Sequence, residues 1–590
     1  MLKNILKLSW LFTIVLSCFS LQLYAQHSSK QISLNQVGFY TNASKIAIII
    51  NATEATQFYL LSVNKKDTVF KGILGKPVQS PYSSAITKTA DFSNFKKEGD
   101  FFLSVPTVGF SYPFKINKNI YREVAKASLK AFYFQRASMS LEKRYAGDWA
   151  RKEGHPDTTA FIHPSAASLT HLANTIISSP GGWYDAGDYN KYIVNSGITM
   201  GTMMSAYEDF PGYFNNLTTN IPETGNTVPD LLNEVLYNLR WMLTMQDKED
   251  GGVYHKCTNA SFDAMVMPEA ATAARYVVQK GTAATLDFAA VAAQASRVYK
   301  KFAKQFPGLA DSCLVASKLA WQWAVKNPAV IYDQNEMNKK YLPPVVTGAY
   351  DDKNFKDEFF WAAAELFTTT KENIYLEQIQ KRSIDEMTLP TWNNIDLPGC
   401  YTLLRLQRQL PVVAKNVIEI ISKKIKDMAD TMIANGGNKA FAVNFGQSKK
   451  DFVWGSNAVA MNESILLLNA YLISNNKKYL LPALSNLSYV LGQNATGYCF
   501  VTGFGSKPSM HPHHRPSIAD NTIAPIPGLL VGGPNPGMQD KCFYASTETE
   551  TAYTDDDCSY ASNEIAINWN APLVYVVNVI EALQLQLIIK

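Results

Sequence analysis

Apolar positions come in short runs along the first part of the chain and at helical spacing along the rest. Between residue 31 and about residue 116, β-rich runs occupy 45–50, 58–63 and 101–105, with Asn, Gly, Pro and Ser between them. Several such runs in under about 100 residues predict a β-sandwich over 26–116. From Tyr121 the period changes: Val124, Ala127, Ala131 and Phe134 fall at helical spacing. Helical segments then recur at 195–209, 230–246, 268–279, 286–306, 313–325, 356–368, 374–387, 411–433, 456–473 and 571–588. So many helices, with long loops between them, exceed a simple bundle and fit a toroid of helix pairs over 117–590. Periodicity alone does not separate a barrel from a solenoid.

Residues 1–25 read as a secretory signal peptide. Lys3 and Lys7 precede an apolar run from Leu8 to Phe19, and Leu23-Tyr24-Ala25 leads into a polar stretch. The run falls short of the roughly 20 residues that span a bilayer. A lipid anchor on Cys18 is the lesser alternative, because Val15-Leu16-Ser17-Cys18 is a poor lipobox. A secreted or periplasmic protein without a transmembrane segment is expected, as a monomer.

Composition narrows the partners. The formal charge of +5 is small for 590 residues, and no lysine- or arginine-rich run stands out. Nucleic acid is therefore not an expected partner. Seven cysteines, six once Cys18 has left, are too few and scattered for a disulfide scaffold. Whether Cys542 and Cys558 pair is left open by the sequence.

Two stretches carry candidate chemistry. In YTDDDCSYASNEIAINWNA, residues 553–571, Glu564 stands alone among Ile565, Ile567 and Trp569. Desolvation there raises a carboxyl pKa, as a general acid near neutral pH requires. The plainer alternative has Glu564 capping the helix that Pro572 opens. In GGWYDAGDYNKY, residues 181–192, Asp185 and Asp188 lie among glycines and aromatic rings. Trp183, Tyr184, Tyr189 and Tyr192 offer flat faces suited to stacking on a sugar. A carboxylate pair at one locus and a desolvated carboxyl at another is what glycoside hydrolysis requires. Clustered aspartates beside glycine also suit a hard cation, although EF-hand spacing is absent.

GGWYDAGDYNKY resembles the aspartate motif of glycoside hydrolase family 9. Residues 553–571 resemble that family's C-terminal signature through Tyr553, Asp555, Tyr560, Glu564, Ala566, Asn570 and Ala571. VTGFGSKPSMHPHHRPS from Val501 resembles its histidine signature, with Pro512, His513 and Arg515 in place. Cys499 departs from the usual Ser, Thr or Val, which reads as a packing variation. LNQVGFY at Leu34 and DFSNFKKEGDFFLSV at Asp91 resemble the immunoglobulin-like module that often precedes such catalytic domains. Segments opening at Pro229, Gly251, Asp357 and Trp454 are similar to the family as well.

The resemblance implies a multidomain chain: an immunoglobulin-like β-sandwich, then an all-α (α/α)6 barrel that hydrolyses a β-1,4-glucan such as cellulose with inversion. Asp188 would be the general base, Asp185 would hold the same water, and Glu564 would be the general acid. Asp555 would orient His513 or Glu564. His513 and Arg515 would donate to sugar hydroxyls, and Trp183, Tyr184, Tyr189 and Tyr560 would bind substrate. The chemistry needs no metal; structural calcium occurs in the family, with its ligands unassigned here. Asp357 and Glu358 read as a helix start or a cation-ligand pair, Asp230 as an N-cap followed by Glu234 in the first turn, and Trp241 and Trp361 as core. His511 and His514 read as structural. Zinc is disfavoured at this cluster, because an arginine adjoins it and no paired ligand motif exists. Two other functions stay open: an exo-acting β-glucosidase or glucosaminidase of the same family, and a non-catalytic glycan-binding protein.

Overall fold

A computed structural model describes residues 28–588; the predicted leader, with Cys18, lies outside the described residues. The first part forms two facing sheets. One has the order β1 (Ile32–Leu34), β3 (Ile46–Ile50), β7 (Ile86–Asp91), β6 (Val78–Gln79). The other runs β2 (Gly38–Phe39), β10 (Phe114–Ile116), β8 (Gly99–Val105), β4 (Gln57–Ser62), β5 (Thr68–Ile73), with β9 (Gly109–Phe110) on β8. Strand β3 explains why its sequence does not alternate. Ala47 and Ile49 point into the sandwich core, while Ile48 joins the core of the helical part. Side chains alternate faces with period two, and here both faces are covered.

Twelve helices of eight residues or more follow among the described residues. They are α1 (Arg122–Phe134), α2 (Ile193–Asp209), α3 (Asp230–Thr244), α4 (Thr282–Tyr299), α5 (Leu309–Lys326), α6 (Lys356–Thr370), α7 (Asn373–Gln380), α8 (Asp396–Arg405), α9 (Lys415–Asn435), α10 (Ser456–Ser474), α11 (Leu480–Val490) and α12 (Ile567–Ala582). The even-numbered helices contact one another in sequence, and α12 returns to α2, which closes an inner ring. The odd-numbered helices lie outside it. Sequence follows position. On α9 the buried residues Val417, Ile418, Ile421, Ile425, Ala429 and Met432 form one stripe. On α10 the successive residues Ile465, Leu466, Leu467 and Leu468 are all buried, as an inner helix requires. Trp241 and Trp361 are core residues.

Several boundaries differ from the sequence reading. The helix expected over 268–279 is a 3-10 turn, Pro268–Ala270, and then strand β15 (Arg275–Val277). The β-prone RYV finds partners there. It completes a five-stranded sheet with β11 (Ala160–Ile162), β12 (Ile176–Ile177), β13 (Lys191–Tyr192) and β14 (Lys256–Asn259). Helices α8 and α11, absent from the sequence reading, carry prolines in their first turns, Pro398 and Pro482, where a missing N–H costs nothing. Helix α12 begins at Ile567, so Pro572 lies inside it rather than opening it.

The β-sandwich grips loops that lead to one end of the barrel. Ser33 Oγ donates to the carbonyls of Gly492 and Asn494 at 2.8 and 2.9 Å. Gln36 donates to the Gly497 carbonyl at 2.8 Å and accepts from the amides of Ser506 and Lys507. Ser80 donates to Glu550 at 2.6 Å. Tyr40 donates to Glu581 on α12.

Candidate active site

The loop 185–188 is laced between two other segments at this end of the barrel. Ala186 bridges Ala566, and the Ile567 amide donates to the Asp185 carbonyl at 2.8 Å. On its other side the Arg515 amide donates to the Gly187 carbonyl at 3.1 Å. His513 bridges Glu564 directly. The three stretches singled out in the sequence therefore meet at one place. Gly187 permits this contact, since a Cβ there would stand 2.1 Å from the His513 carbonyl oxygen.

A cleft of about 610 Å³ opens above them. Asp185, Asp188, Glu564, His513, Arg515 and Tyr560 all line it. Its apolar walls come from Phe262, Tyr350, Trp392, Trp454 and Trp569, with Tyr192 at the base. Trp454 and Tyr560 lie 5.2 Å apart, tilted, and Tyr350 packs edge-on against Trp392 at 5.3 Å. Rings with apolar faces and polar edges suit the alternating CH and OH surfaces of a sugar.

Each carboxyl has its own surroundings. Asp185 is buried; Asn195 donates to its Oδ1 at 2.5 Å and Tyr350 Oη to its Oδ2 at 2.7 Å. Burial and then the neighbouring Asp188 push the Asp185 carboxyl up, and the two donors oppose that rise. Asp188 Oδ2 accepts from Asn190 Nδ2 and, at 3.2 Å, from Tyr192 Oη. Glu564 stands in extended backbone between the short helix Tyr560–Asn563 and α12. Burial first, then the charges of Asp188 and Asp185, raise its pKa well above the ordinary carboxylate range. Arg515 and the Gly187 amide oppose the rise. The arrangement sets a strongly raised, buried carboxyl at one locus and a carboxyl pair with its own donors at another, which is the division acid–base hydrolysis needs.

The remaining expected residues fall into two groups. His513 Nδ1 meets the Asp557 carbonyl at 2.6 Å. A carbonyl only accepts, so Nδ1 carries the proton and Nε2 is an acceptor. Burial lowers the His513 pKa. The other ring nitrogen is thus an acceptor, not the donor that the sequence reading expected. Arg515 spends Nε on the Asp263 carbonyl and Nη1 on that of Gly187, leaving Nη2 to donate. Asp555 is not a cleft residue. It accepts from the amides of Met510 and His511 and from Asn563 Nδ2, so it positions the segments of His513 and Glu564 through their backbone.

Trp183, Tyr184 and Tyr189 are buried and cannot stack on substrate. Trp183 packs on Phe132 and donates to Glu234 at 3.1 Å. Tyr184 Oη meets His155, and Tyr189 Oη donates to the Val266 carbonyl. Glu234 lies beyond the first turn of its helix and pairs with the buried Arg136 at 2.8 Å. Asp230 does not cap its helix, but accepts from Thr219 and Thr224. His514 is buried between Gln135 and Ser517, while His511 is exposed. Apart from Tyr560, the rings that line the cleft come from elsewhere. Tyr350 in GAY, Trp392 in TWNN and Trp454 in WGSN sit in short polar loops, a context that marks an aromatic as unlike core.

Asp357 and Glu358 do open a helix, α6. Both oxygens of Glu358 and of Asp287, and one each of Asp352 and Asp357, are buried without a partner. Oxygen donors suit calcium. Yet no three acidic, histidine or cysteine groups among the described residues stand close enough to hold an ion. Burial first, and then the neighbouring carboxyls, raise the pKa of Asp287 and Glu358. Cys542 and Cys558 form a disulfide that ties the loop around Cys542 to the segment between Asp557 and Tyr560. No described helix is long and apolar enough to cross a membrane.

Known proteins resemble this chain along nearly all of it. The family model for glycosyl hydrolase family 9 matches residues 121–577, and that for the cellulase N-terminal ig-like domain matches 27–109. A xyloglucan-specific endo-beta-1,4-glucanase of Bacteroides ovatus is 44% identical over 94% of this chain and 94% of that protein. Endoglucanase D of Acetivibrio thermocellus is 33% identical over 92% of this chain and 82% of its own length. Among solved structures, the Bacteroides ovatus GH9 protein superposes with a TM-score of 0.89 at 43% identity, covering 94% of this chain and 99% of that one. AaCel9A bound to cellobiose-like isofagomine gives 0.83 at 29% identity, over 94% of this chain and 100% of that one.

Proposed function

The chain belongs to glycosyl hydrolase family 9, and from that premise we propose that this hydrolase is an endo-β-1,4-glucanase that cuts with inversion. The observation that carries the reading is the meeting of Asp185, Asp188 and Glu564 in one cleft walled by aromatic rings. Asp188 acts as general base and takes the proton of a water that Asp185 helps to hold. Glu564, kept protonated by burial and by its anionic neighbours, delivers a proton to the departing glycosidic oxygen. Water attacks the anomeric carbon as that bond breaks, and the anomeric configuration inverts. Tyr560, Trp454, Tyr350 and Trp392 hold glucosyl rings, and Arg515 and His513 bind their hydroxyls.

Xyloglucan is the preferred glucan, a reading supported by the 44% identical relative that carries that specificity in its name. A polymer of that size does not enter a cell intact, which accords with export through residues 1–25 and with the Cys542–Cys558 disulfide of an oxidising compartment. Viscometry against reducing-end release on xyloglucan, mixed-linkage glucan and carboxymethylcellulose tests the reading. Endo action drops viscosity well ahead of reducing ends, with the highest kcat/KM on xyloglucan. Reducing ends that rise without a viscosity drop overturn it.

A further inference from the structure

Lys256, on β14, is buried completely and lies behind the cleft rather than in it. Its Nζ donates to three acceptors: Gln334 Oε1 at 2.6 Å, Thr347 Oγ1 at 3.1 Å and the Gly348 carbonyl at 2.7 Å. An ammonium has three donors and no acceptor. It therefore sets the direction of whatever hydrogen bonds continue beyond those partners.

Two chains continue, and both end on the same atom. In the first, Thr347 Oγ1, having accepted from Lys256, donates to Thr258 Oγ1 at 2.6 Å. Thr258 Oγ1 then shares its proton between Asn190 Oδ1 and the Asn259 carbonyl, both at 2.9 Å. The Asn259 amide and Arg275 Nη1 also donate to that Oδ1, which fixes the Asn190 amide so that Nδ2 faces Asp188 Oδ2. In the second chain Gln334 and the Thr347–Gly348 peptide carry the link. Lys256 holds Gln334 Oε1, Gln334 Nε2 donates to the Thr347 carbonyl at 2.7 Å, the Gly348 amide of the same peptide donates to Tyr192 Oη at 3.0 Å, and Tyr192 Oη donates to Asp188 Oδ2 at 3.2 Å. All the donors that reach Asp188 from its neighbours go to Oδ2, which leaves Oδ1 to face the cleft.

We propose that Lys256 is a positioning residue for the hydrolytic reaction: its ammonium polarises both donor chains toward Asp188 Oδ2, holds that carboxyl in one orientation, and so reserves Oδ1 for the attacking water. This rests on the role given to Asp188 above. The groups facing Lys256 are the rings of Tyr192 and Tyr332, each 5.4 Å from Nζ, and, at longer range, Asp188, His255 and His163. Asp188 is the anion among them. Burial lowers the Lys256 pKa well below the ordinary lysine value and the charge of Asp188 opposes that fall; the three acceptors around Nζ and the facing carboxylate favour the ammonium, whose field in turn favours the ionised base.

The test uses Lys256→Met and, because that variant can fail to fold, the isosteric Thr258→Val, which cuts only the first chain. Wild-type turnover on a soluble glucan is established first, so a failure of the hydrolase reading shows there and not in the variants. In Lys256→Met, kcat falls roughly 100-fold with KM nearly unchanged, and the acid limb of the kcat/KM profile, which reports the general base, moves up by about one pH unit. In Thr258→Val the same limb moves the same way by a smaller amount. A merely structural lysine would lower the amount of folded enzyme and leave the limb in place. An unmoved acid limb in Thr258→Val, or in folded Lys256→Met, overturns the proposal.

Discussion

Replacing Tyr350 by Phe removes one hydroxyl and keeps the ring. That hydroxyl is one of two donors on the buried Asp185, the other being Asn195. Burial and Asp188 drive the Asp185 carboxyl up, and the two donors hold it down, so losing one raises it further and frees Oδ2 to turn. A hydrogen bond to such a group contributes about 1.5–3 kcal/mol. At about 1.4 kcal/mol per factor of ten, kcat falls roughly 10- to 150-fold. The ring packing on Tyr192 at 4.9 Å and Trp392 at 5.3 Å survives, so the cleft wall stays and KM changes by no more than about twofold. Initial rates on a soluble glucan, with a thermal melt as the control for folding, separate the two constants. A kcat within about twofold of wild type refutes the reasoning; so does a loss carried wholly by KM, which would make Tyr350 a sugar platform and nothing more.

Glu564→Gln loses roughly 10²- to 10⁴-fold on polysaccharide and much less on an aryl glycoside whose leaving group needs no proton; equal losses on both substrates would remove Glu564 from the acid role. In the wild type the acid must be protonated, and its pKa is raised, so the alkaline limb of kcat/KM lies above the ordinary carboxyl range near 4.5; a pH–rate profile that already declines from about pH 5 contradicts this. Gly187→Ala sets a Cβ against the His513 carbonyl and pushes the 185–188 loop away from the His513–Arg515 segment. Overpacking of this kind costs about 1–3 kcal/mol, read as a lower melting temperature together with lost activity; an unshifted melt and normal turnover would show that the three segments do not need this contact.

Much of this was legible in the sequence because its signals were local. Asp185, Asp188, Glu564, His513 and Arg515 sit in dense motifs, and all five reach one cleft. The three aromatic residues Trp183, Tyr184 and Tyr189 misled because the same ring suits a sugar and a core, and only tertiary contacts decide between them. Trp183 is drawn inward by Glu234, itself neutralised by Arg136, a pairing across 98 residues that no local pattern reports. Of the other rings that line the cleft, Tyr350 and Trp392 lie far from the motifs in sequence, whereas Trp454 opens a segment that the resemblance had already marked. Lys256 was invisible for the same reason: its significance lies in strand β14 pairing with β13, which brings it behind Asp188. The β-rich segment at 275–277 shows the limit of periodicity, since a three-residue strand is defined by its neighbours and not by its own pattern.

The most direct test of the central claim is a proton NMR time course on cellohexaose, joined by a xyloglucan oligosaccharide, recorded within minutes of adding enzyme. The account predicts that the α-anomer of the new reducing end appears first, on products cut from within the chain. First appearance of the β-anomer would contradict inversion and the roles of Asp188 and Glu564, and monosaccharide released from one end alone would contradict endo action.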